Sequence, residues 1–536
     1  MQKTLFSILV LLVCISHPSK ATSFIYNVTD YGVKANSGRS ETASLQKIID
    51  LCSTNGGGTV CIPTGTYISG TLFLKNNVML FLNRGAVLRG SSDLNEYPEL
   101  RTHRKGLIHA ENVHNTGICG SGVIDANGND TVFHGGAKSP DRIYAANFEG
   151  CSQIDIRNVS LINASYWTLR ISDCDHVQIR GITIRSTSYF NNDGIDLDGR
   201  NITVSDCIID CIDDAICLKS YYKERPCENI AISNCIVSSN CNAIKLGTAS
   251  RGGFKNIAIS NCVIKRPEQN DYFDYKKYTI PGVTANYTNN SGIALEMVDG
   301  GTMEQIVINN ITMFNTLTPI FIRYGQRHSP LVGTMKGIVI SNITATSNSL
   351  MSCSITGIPD QYAENIKLSH IILNCPGSGR KEHTLRTIPE VENSYPENKI
   401  FGANLPAYGF FIRHVRHLTL EDIQFNLDNK DDRHALYLDD CRDITIDKVK
   451  TISHLRESAY IRTNNVENLM IRGFSTENAL PSFLENSGKS SGIKLIGNDF
   501  SKVSQLYNEE IGQEVKEAGN LFENCLLYTS DAADEL

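Results

Sequence analysis

Ile202-Thr-Val-Ser-Asp-Cys-Ile-Ile-Asp210, Ile230-Ala-Ile-Ser-Asn-Cys-Ile-Val237 and Ile257-Ala-Ile-Ser-Asn-Cys-Val-Ile264 repeat one short phrase. Each is aliphatic-x-aliphatic, two or three polar or glycine residues, then aliphatic-x-aliphatic. Alternation with period two marks strands with one buried face. Working outward, the phrase begins again at Ile154, Val177, Ile306, Ile338, Ile366, Leu418, Ile444 and Leu469. Most steps are 23 to 32 residues, and the two near 50 imply inserted loops or a weakly patterned coil. A β repeat of this length, with no helical segment between, predicts the stacked coils of an all-β right-handed parallel β-helix. Helical solenoids need period 3.6, and a propeller blade needs four strands in about 40–45 residues.

Each coil carries a second strand. Aligned on its small second residue it reads Trp167-Thr-Leu-Arg-Ile, Asp193-Gly-Ile-Asp-Leu-Asp, Asp214-Ala-Ile-Cys-Leu-Lys, Asn242-Ala-Ile-Lys-Leu-Gly, Ser291-Gly-Ile-Ala-Leu-Glu and Thr318-Pro-Ile-Phe-Ile-Arg. Third and fifth positions are aliphatic and face the core; fourth and sixth are expected to face solvent and line a groove. Cys207, Cys235 and Cys262 recur at one place in successive repeats, which predicts a stacked interior column rather than bridges. Setting aside Cys14 and Cys525 leaves fifteen of the seventeen cysteines, an odd number, although a few bridges stay open in an exported protein. No paired C-x-x-C spacing with histidine partners suggests zinc.

Met1–Ala21, with Lys3, an apolar run over 5–15 and Ser19-Lys20-Ala21, reads as a secretory signal removed after about Ala21. The protein is therefore expected to be periplasmic or extracellular, without a membrane span. Residues 22–110 read as an N-terminal cap and first coils, with a capping helix near Thr42–Thr54. Residues 111–505 read as the β-helix catalytic domain and 506–524 as a C-terminal segment. Residues 525–536 continue no pattern and read as a translated sequencing adapter. The net charge of −7 argues against nucleic acid as a partner. It also offers an anionic polymer no long-range attraction, so local cations would have to hold one.

Acidic residues crowd Asn191-Asn-Asp193-Gly-Ile-Asp196-Leu-Asp198 and Asp213-Asp214. Asp193 and Asp214 share a column on adjacent coils, and like charges so close raise one another's proton affinity. Carboxylates poised as acid and base suit glycosidic cleavage. An Asp/Asn ladder capping turns, and calcium binding, are the other readings of the same residues.

Asn191-Asn-Asp193 and Asp213-Asp214 resemble the Asn-x-Asp and Asp-Asp motifs of glycoside hydrolase family 28, the polygalacturonases and relatives. The resemblance covers about residues 24 to 475 and implies an inverting hydrolase of pectic poly- or oligosaccharide, a monomer without cofactor or metal. It implies that Asp213 protonates the leaving oxygen while Asp193 and Asp214 direct the water. The family's Gly-His-Gly falls on Cys241-Asn242-Ala243, and its Arg-x-Lys on Ala294-Leu-Glu296, so both galacturonate-binding cations are missing there. Arg323, beside Glu296, with Lys219 and Lys245, is expected to supply replacement charge; the other reading is a Glu296–Arg323 surface pair of little energetic weight. The expected substrate-binding set is then Asn191, Asn242, Lys219, Lys245, Glu296 and Arg323, and an exo-acting or side-chain-specific enzyme fits better than an endo-polygalacturonase. Trp167 is a candidate for sugar stacking or core packing, Arg327 and His328 for substrate contact, and Tyr324 for a cleft wall. His176, His370, His414 and His417 read as surface or turn residues. Two other classes use the same scaffold: a polysaccharide lyase with calcium and a Lys or Arg base, and a noncatalytic glycan-binding solenoid.

Overall fold

A computed structural model describes residues 24–267, 289–328, 333–452, 458–508, 511 and 514–523. The signal read at 1–21, the terminal segment 525–536 and most of the loop after Pro267 lie outside the described residues. The chain winds as a right-handed parallel β-helix in which each strand pairs in parallel with its counterparts one coil before and after. All eleven aliphatic residues that open the repeat fall in one column: Ile154, Val177, Ile202, Ile230, Ile257, Ile306, Ile338, Ile366, Leu418, Ile444 and Leu469 are consecutive partners. Each is at most 2 % exposed, so one stripe of β-branched and leucine side chains forms a continuous wall of the core. Cys207, Cys235 and Cys262 are equally buried, and the fifteen described cysteines are all free.

Surface asparagines close the turns. Asn201, Asn229 and Asn256 sit at φ between 53° and 58°, a left-handed conformation asparagine tolerates better than most residues. Their amides run from coil to coil, Asn229 Nδ2 donating to Asn201 Oδ1 at 3.0 Å and Asn256 Nδ2 to Asn229 Oδ1 at 2.8 Å. A polar ladder of the kind considered for Asp193 and Asp214 therefore runs along this corner of the coil, and in the acidic column itself one such rung joins Asn242 to Asp214.

The N-terminal opening is covered by the helix Thr42–Thr54, whose Leu45, Ile48, Ile49 and Cys52 are buried. Gln46 ties it to the first coils, its Nε2 donating to Phe73 O at 3.0 Å and its Oε1 accepting from Phe73 N at 2.7 Å.

The second strand also holds its expected register: Leu169, Ile195, Ile216, Ile244, Ile293 and Ile320 are consecutive partners. The fourth and sixth positions do not face open solvent as the alternation suggested. Asp196, Lys245, Glu296, Phe321 and Arg323 are all 3 % exposed or less. Period two gives the side of the strand on which a residue lies, but not what lies on top of it. Part of the cover is the second inserted loop, residues 376–406, which runs back over this face as a strap. Its Glu392 O accepts from Gln326 N at 3.0 Å and its Asn398 Nδ2 donates to Asn290 O at 2.8 Å.

Candidate active site

Backbone bonds between coils set the acidic cluster in place. Thr168 N donates to Asp193 O at 2.8 Å, Gly194 N to Asp214 O at 2.9 Å, and Ala215 N to Asn242 O at 2.9 Å. Asp193, Asp214 and Asn242 are therefore stacked on three successive coils, about 4.8 Å apart. Asp193 and Asp214 are each 3 % exposed, and Asp213, which precedes the strand, is half-buried. It is the member of the trio that a bound molecule reaches most easily.

Two buried lysines divide the carboxylates into groups. Lys219 Nζ lies 2.9 Å from Asp196 Oδ1, 3.6 Å from Asp193 Oδ2 and 4.5 Å from the centre of the Trp167 ring. Lys245 Nζ lies 3.1 Å from Asp214 Oδ2 and 3.4 Å from Glu296 Oε2, with the Tyr395 ring of the strap beyond it. Asp214 Oδ1 accepts from Asn242 Nδ2 at 2.7 Å and from Asn242 N at 3.3 Å. Asn242 thus occupies the expected place, but its amide is turned to a carboxylate of the protein.

Asp213 is held differently. Its Oδ1 accepts from Asp214 N and its Oδ2 from Asn191 Nδ2, both at 2.9 Å. Asn191 Oδ1 accepts in turn from Arg142 Nη1 at 3.3 Å, which fixes the side of the amide that faces Asp213. Arg142 is wholly buried; its Nε donates to Ser165 O at 2.9 Å, and its guanidinium lies over the Tyr166 and Phe190 rings. Sequence reading passed over Arg142, which lies 49 residues from Asn191 and in no motif.

These surroundings pull adjacent carboxyls apart. Burial and the neighbouring Asp214 push the proton affinity of Asp213 up. Burial also acts on Asp214, but Lys245, Lys219 and the Asn242 hydrogen bond outweigh it and hold Asp214 below the ordinary carboxylate range. Asp193, buried and facing Asp196 and Asp213, is pushed well above it. Burial raises Asp196 to about 6, and Asp198 and Glu296 to about 7. A carboxyl raised on folding stabilises the fold fully below its unfolded pKa and loses that stability as pH rises through the folded value. His434, buried and lowered to about 4, acts in the opposite sense below pH 6.5. His109 and His383, also buried and lowered, act in the same sense as His434, but five raised carboxyls outweigh three lowered imidazoles, so unfolding free energy is expected to rise by a few kcal/mol between pH 7.5 and 5 at about 1.4 kcal/mol per unit. Denaturant titrations at the two pH values check this; a flat or falling profile contradicts the burial of these groups.

Arg323 does not serve as expected. It is 1 % exposed, and its guanidinium donates to Gly357 O at 2.9 Å and to strap carbonyls, Glu390 O at 2.9 Å and Val391 O at 3.3 Å. It anchors the strap and forms no ion pair with Glu296, whose cation is Lys245. Nor is His414 a surface residue: it is 7 % exposed, Nδ1 2.7 Å from Asp440 Oδ2 and Nε2 2.9 Å from Glu390 Oε2. Tyr324 is buried in the core, whereas His176, His370 and His417 lie at positive-φ turns with exposed rings.

One oxygen each of Asp213 and Asp214 and the Cys241 sulfur lie within 4.8 Å of one another. The set is poor for calcium, because Lys245 already neutralises Asp214 and a thiol is a soft ligand.

Residues 52–271 match the family model described as glycosyl hydrolases family 28. A probable polygalacturonase of Vitis vinifera is 24 % identical over 395 residues, covering 66 % of this chain and 75 % of that one. An exo-poly-alpha-D-galacturonosidase of Dickeya chrysanthemi is 23 % identical over 43 % of this chain and 48 % of its own length. Among solved structures, a hyperthermoactive exopolygalacturonase from Thermotoga maritima superposes with a TM-score of 0.55 at 21 % identity, over 66 % of this chain and 87 % of that one, a likeness of fold. The segment similar to glycosyl hydrolases family 28 contains Asn191-Asn-Asp193 and Asp213-Asp214, on coils that the structure stacks one upon the other.

Proposed function

We propose that this glycosyl hydrolase cleaves pectic polysaccharide in an exo-acting or side-chain-specific manner and with inversion. Asp213 gives its proton to the leaving oxygen as the glycosidic bond breaks. Water attacks the opposite face of the anomeric carbon and loses a proton to Asp214, while Asp193 orients that water. The products are a sugar of inverted anomeric configuration and a shortened chain. The observation that carries this reading is the unequal support of two adjacent carboxyls: Lys245 and Asn242 hold Asp214, whereas among the described residues no cation pairs with Asp213, so Asp213 is displaced upward and Asp214 downward. An acid and a base working at one pH need such a split.

The strap supports exo action. It covers the second-strand face over Phe321 and Arg323, three coils past Asp214, and sets Tyr395 over Lys245, one coil past it, which bounds the groove on that side. Two of the similar proteins are named as exo-acting. Attack on a polymer outside the cell accords with the signal read at Met1–Ala21. Digests of polygalacturonate, rhamnogalacturonan and branched pectin test the reading: release of one short product from the first minutes supports it, and a ladder of intermediates refutes exo action.

The approach of Asp213 and Asp214 favours a second reading, since inverting enzymes usually separate their carboxyls by about 6.5–9.5 Å and retaining ones by about 5–5.5 Å. Asp214 is a poor nucleophile, however, with Asn242 on one oxygen and Lys245 on the other. The nascent anomer, followed by proton NMR before mutarotation, is expected to be inverted; a retained anomer would make Asp214 the nucleophile.

A further inference from the structure

Beside the acidic cluster runs a second groove of about 510 Å³, lined by four arginines. It follows the far ends of the second strands from the coil of Glu149 to that of Arg327, six coil steps or about 29 Å. Ser172, on its floor, pairs in register with Asp198, five residues beyond Asp193, so the groove lies about 16 Å along the strand from the catalytic trio. Lys219, Trp167 and Tyr221 stand between the two.

In a chain of net charge −7 this groove has an excess of cations. Its carboxylates, Glu149 and Asp299, are 6 % and 3 % exposed and already committed to arginine. Arg170 Nη1 donates to Glu149 Oε2 at 3.2 Å and to Asn147 Oδ1 at 2.9 Å, and Arg101 Nη1 lies 3.5 Å from Glu149 Oε1. Arg327 grips Asp299 with two bonds, Nε at 3.0 Å and Nη2 at 2.7 Å. Arg251 is exposed, and its guanidinium has no hydrogen-bond or carboxylate partner among the described residues. The acids are buried beneath and the guanidinium edges of Arg101 and Arg251 face outward, so a ligand meets positive charge. Planar forks of N–H donors suit carboxylates, and the exposed Tyr222, with Arg225 over one face of its ring, adds an aromatic edge to the groove.

We propose that this groove is a distal subsite for carboxylate-bearing sugars, anchored by Arg251 with Arg101 and Arg327, which holds an acidic glycan several units from the bond being cleaved. It rests on the reading of the trio as a glycosidase site and deepens it: the substrate is acidic although Ala294 and Glu296 supply no cation near the trio. The positive charge has been displaced along the strand rather than lost.

The test compares kcat/KM for a long oligogalacturonate with that for its methyl ester, in the wild type and in Arg251→Ala and Arg251→Glu. Arg251 is exposed, so neither change threatens the fold. Arg251→Ala is expected to shrink the preference for the acid about tenfold, as for one charge-assisted contact, mainly through KM, and Arg251→Glu further. Equal losses on acid and ester, or no loss, overturn the proposal. If the wild type cleaves neither, the hydrolase reading fails by itself, and calorimetry decides the groove separately. The Asp213→Asn chain must then bind oligogalacturonate more tightly than the ester, and adding Arg251→Glu must remove the difference; binding that Arg251→Glu leaves unchanged rejects the site.

Discussion

Asp213→Asn is expected to lower kcat on pectic oligosaccharide about a thousandfold, within the range attributed to a positioned general acid, and to change stability little. The amide keeps the size of the carboxyl. With one oxygen it still accepts from Asp214 N, but its NH2 then meets Asn191 Nδ2, which Arg142 prevents from turning easily. That conflict costs about 1 kcal/mol, and removing a carboxyl whose protonation is favoured by burial and by Asp214 offsets part of it. The pH profile carries the sharper information. In the proposed roles Asp213 must be protonated and Asp214 ionised, so the wild type should show a bell whose acid limb lies below the usual carboxylate range and whose alkaline limb lies above it. Residual activity of Asp213→Asn should lose the alkaline limb and keep the acid one. Reducing-end assays across pH, with circular dichroism as the control for folding, measure both. A variant that retains most of its turnover, or keeps both limbs, removes Asp213 from the mechanism.

The scaffold could be read from the sequence because each coil restates it. Eleven aliphatic residues from Ile154 to Leu469 must each face inward, and an error at one is corrected by its neighbours above and below. The position of the acidic cluster followed from the same register, since residues that align in the repeat are stacked in space. Charge pairing was harder to foresee. Glu296 and Arg323 align across adjacent coils, yet Lys245 from the preceding coil reaches Glu296 and Arg323 turns to the strap. Register fixes where a long side chain starts, not where its terminal group ends. The strap itself belongs to the part of the chain that breaks the repeat, so nothing periodic announces that Tyr395 lies over Lys245. Arg142 is a similar case: an isolated arginine reads as surface, and only the packing of Tyr166, Phe190 and Ser165 around it makes it part of the site.

Lys245→Met tests whether the buried lysine sets the base. Lys245 is 3 % exposed and pairs with Asp214 and Glu296 at once, so its removal takes from two buried carboxyls their ion-pair partner and leaves only the more distant Lys219 to act on Asp214. Breaking such a group is expected to cost about 3–5 kcal/mol near neutral pH. The sign of the pH dependence follows from the loss of the attraction that opposes burial at both acids. Their folded proton affinities rise, so the penalty is full well above the new folded values, fades as pH falls through them, and is gone below the wild-type folded values, about 7 for Glu296 and below the ordinary carboxylate range for Asp214. Denaturant midpoints should therefore converge with those of the wild type on acidification; a gap independent of pH from 8 to 5 would mean that Lys245 stabilises by packing alone. Glu296→Gln added to Lys245→Met should recover much of the stability, since one uncompensated charge is gone. It should not restore the rate profile, because Asp214 still lacks its cation and must be ionised at a higher pH. The acid limb is then expected to move upward in both variants. That separates a lysine that tunes the base from one that binds substrate, whose loss would raise KM and leave the limb in place. Glu296 is buried two coils beyond Asp214, and Lys245 compensates it from the coil before. In this chain the positive charge beside Asp214 is provided from within the fold, and Asp214 is kept ionised without any contribution from the sugar.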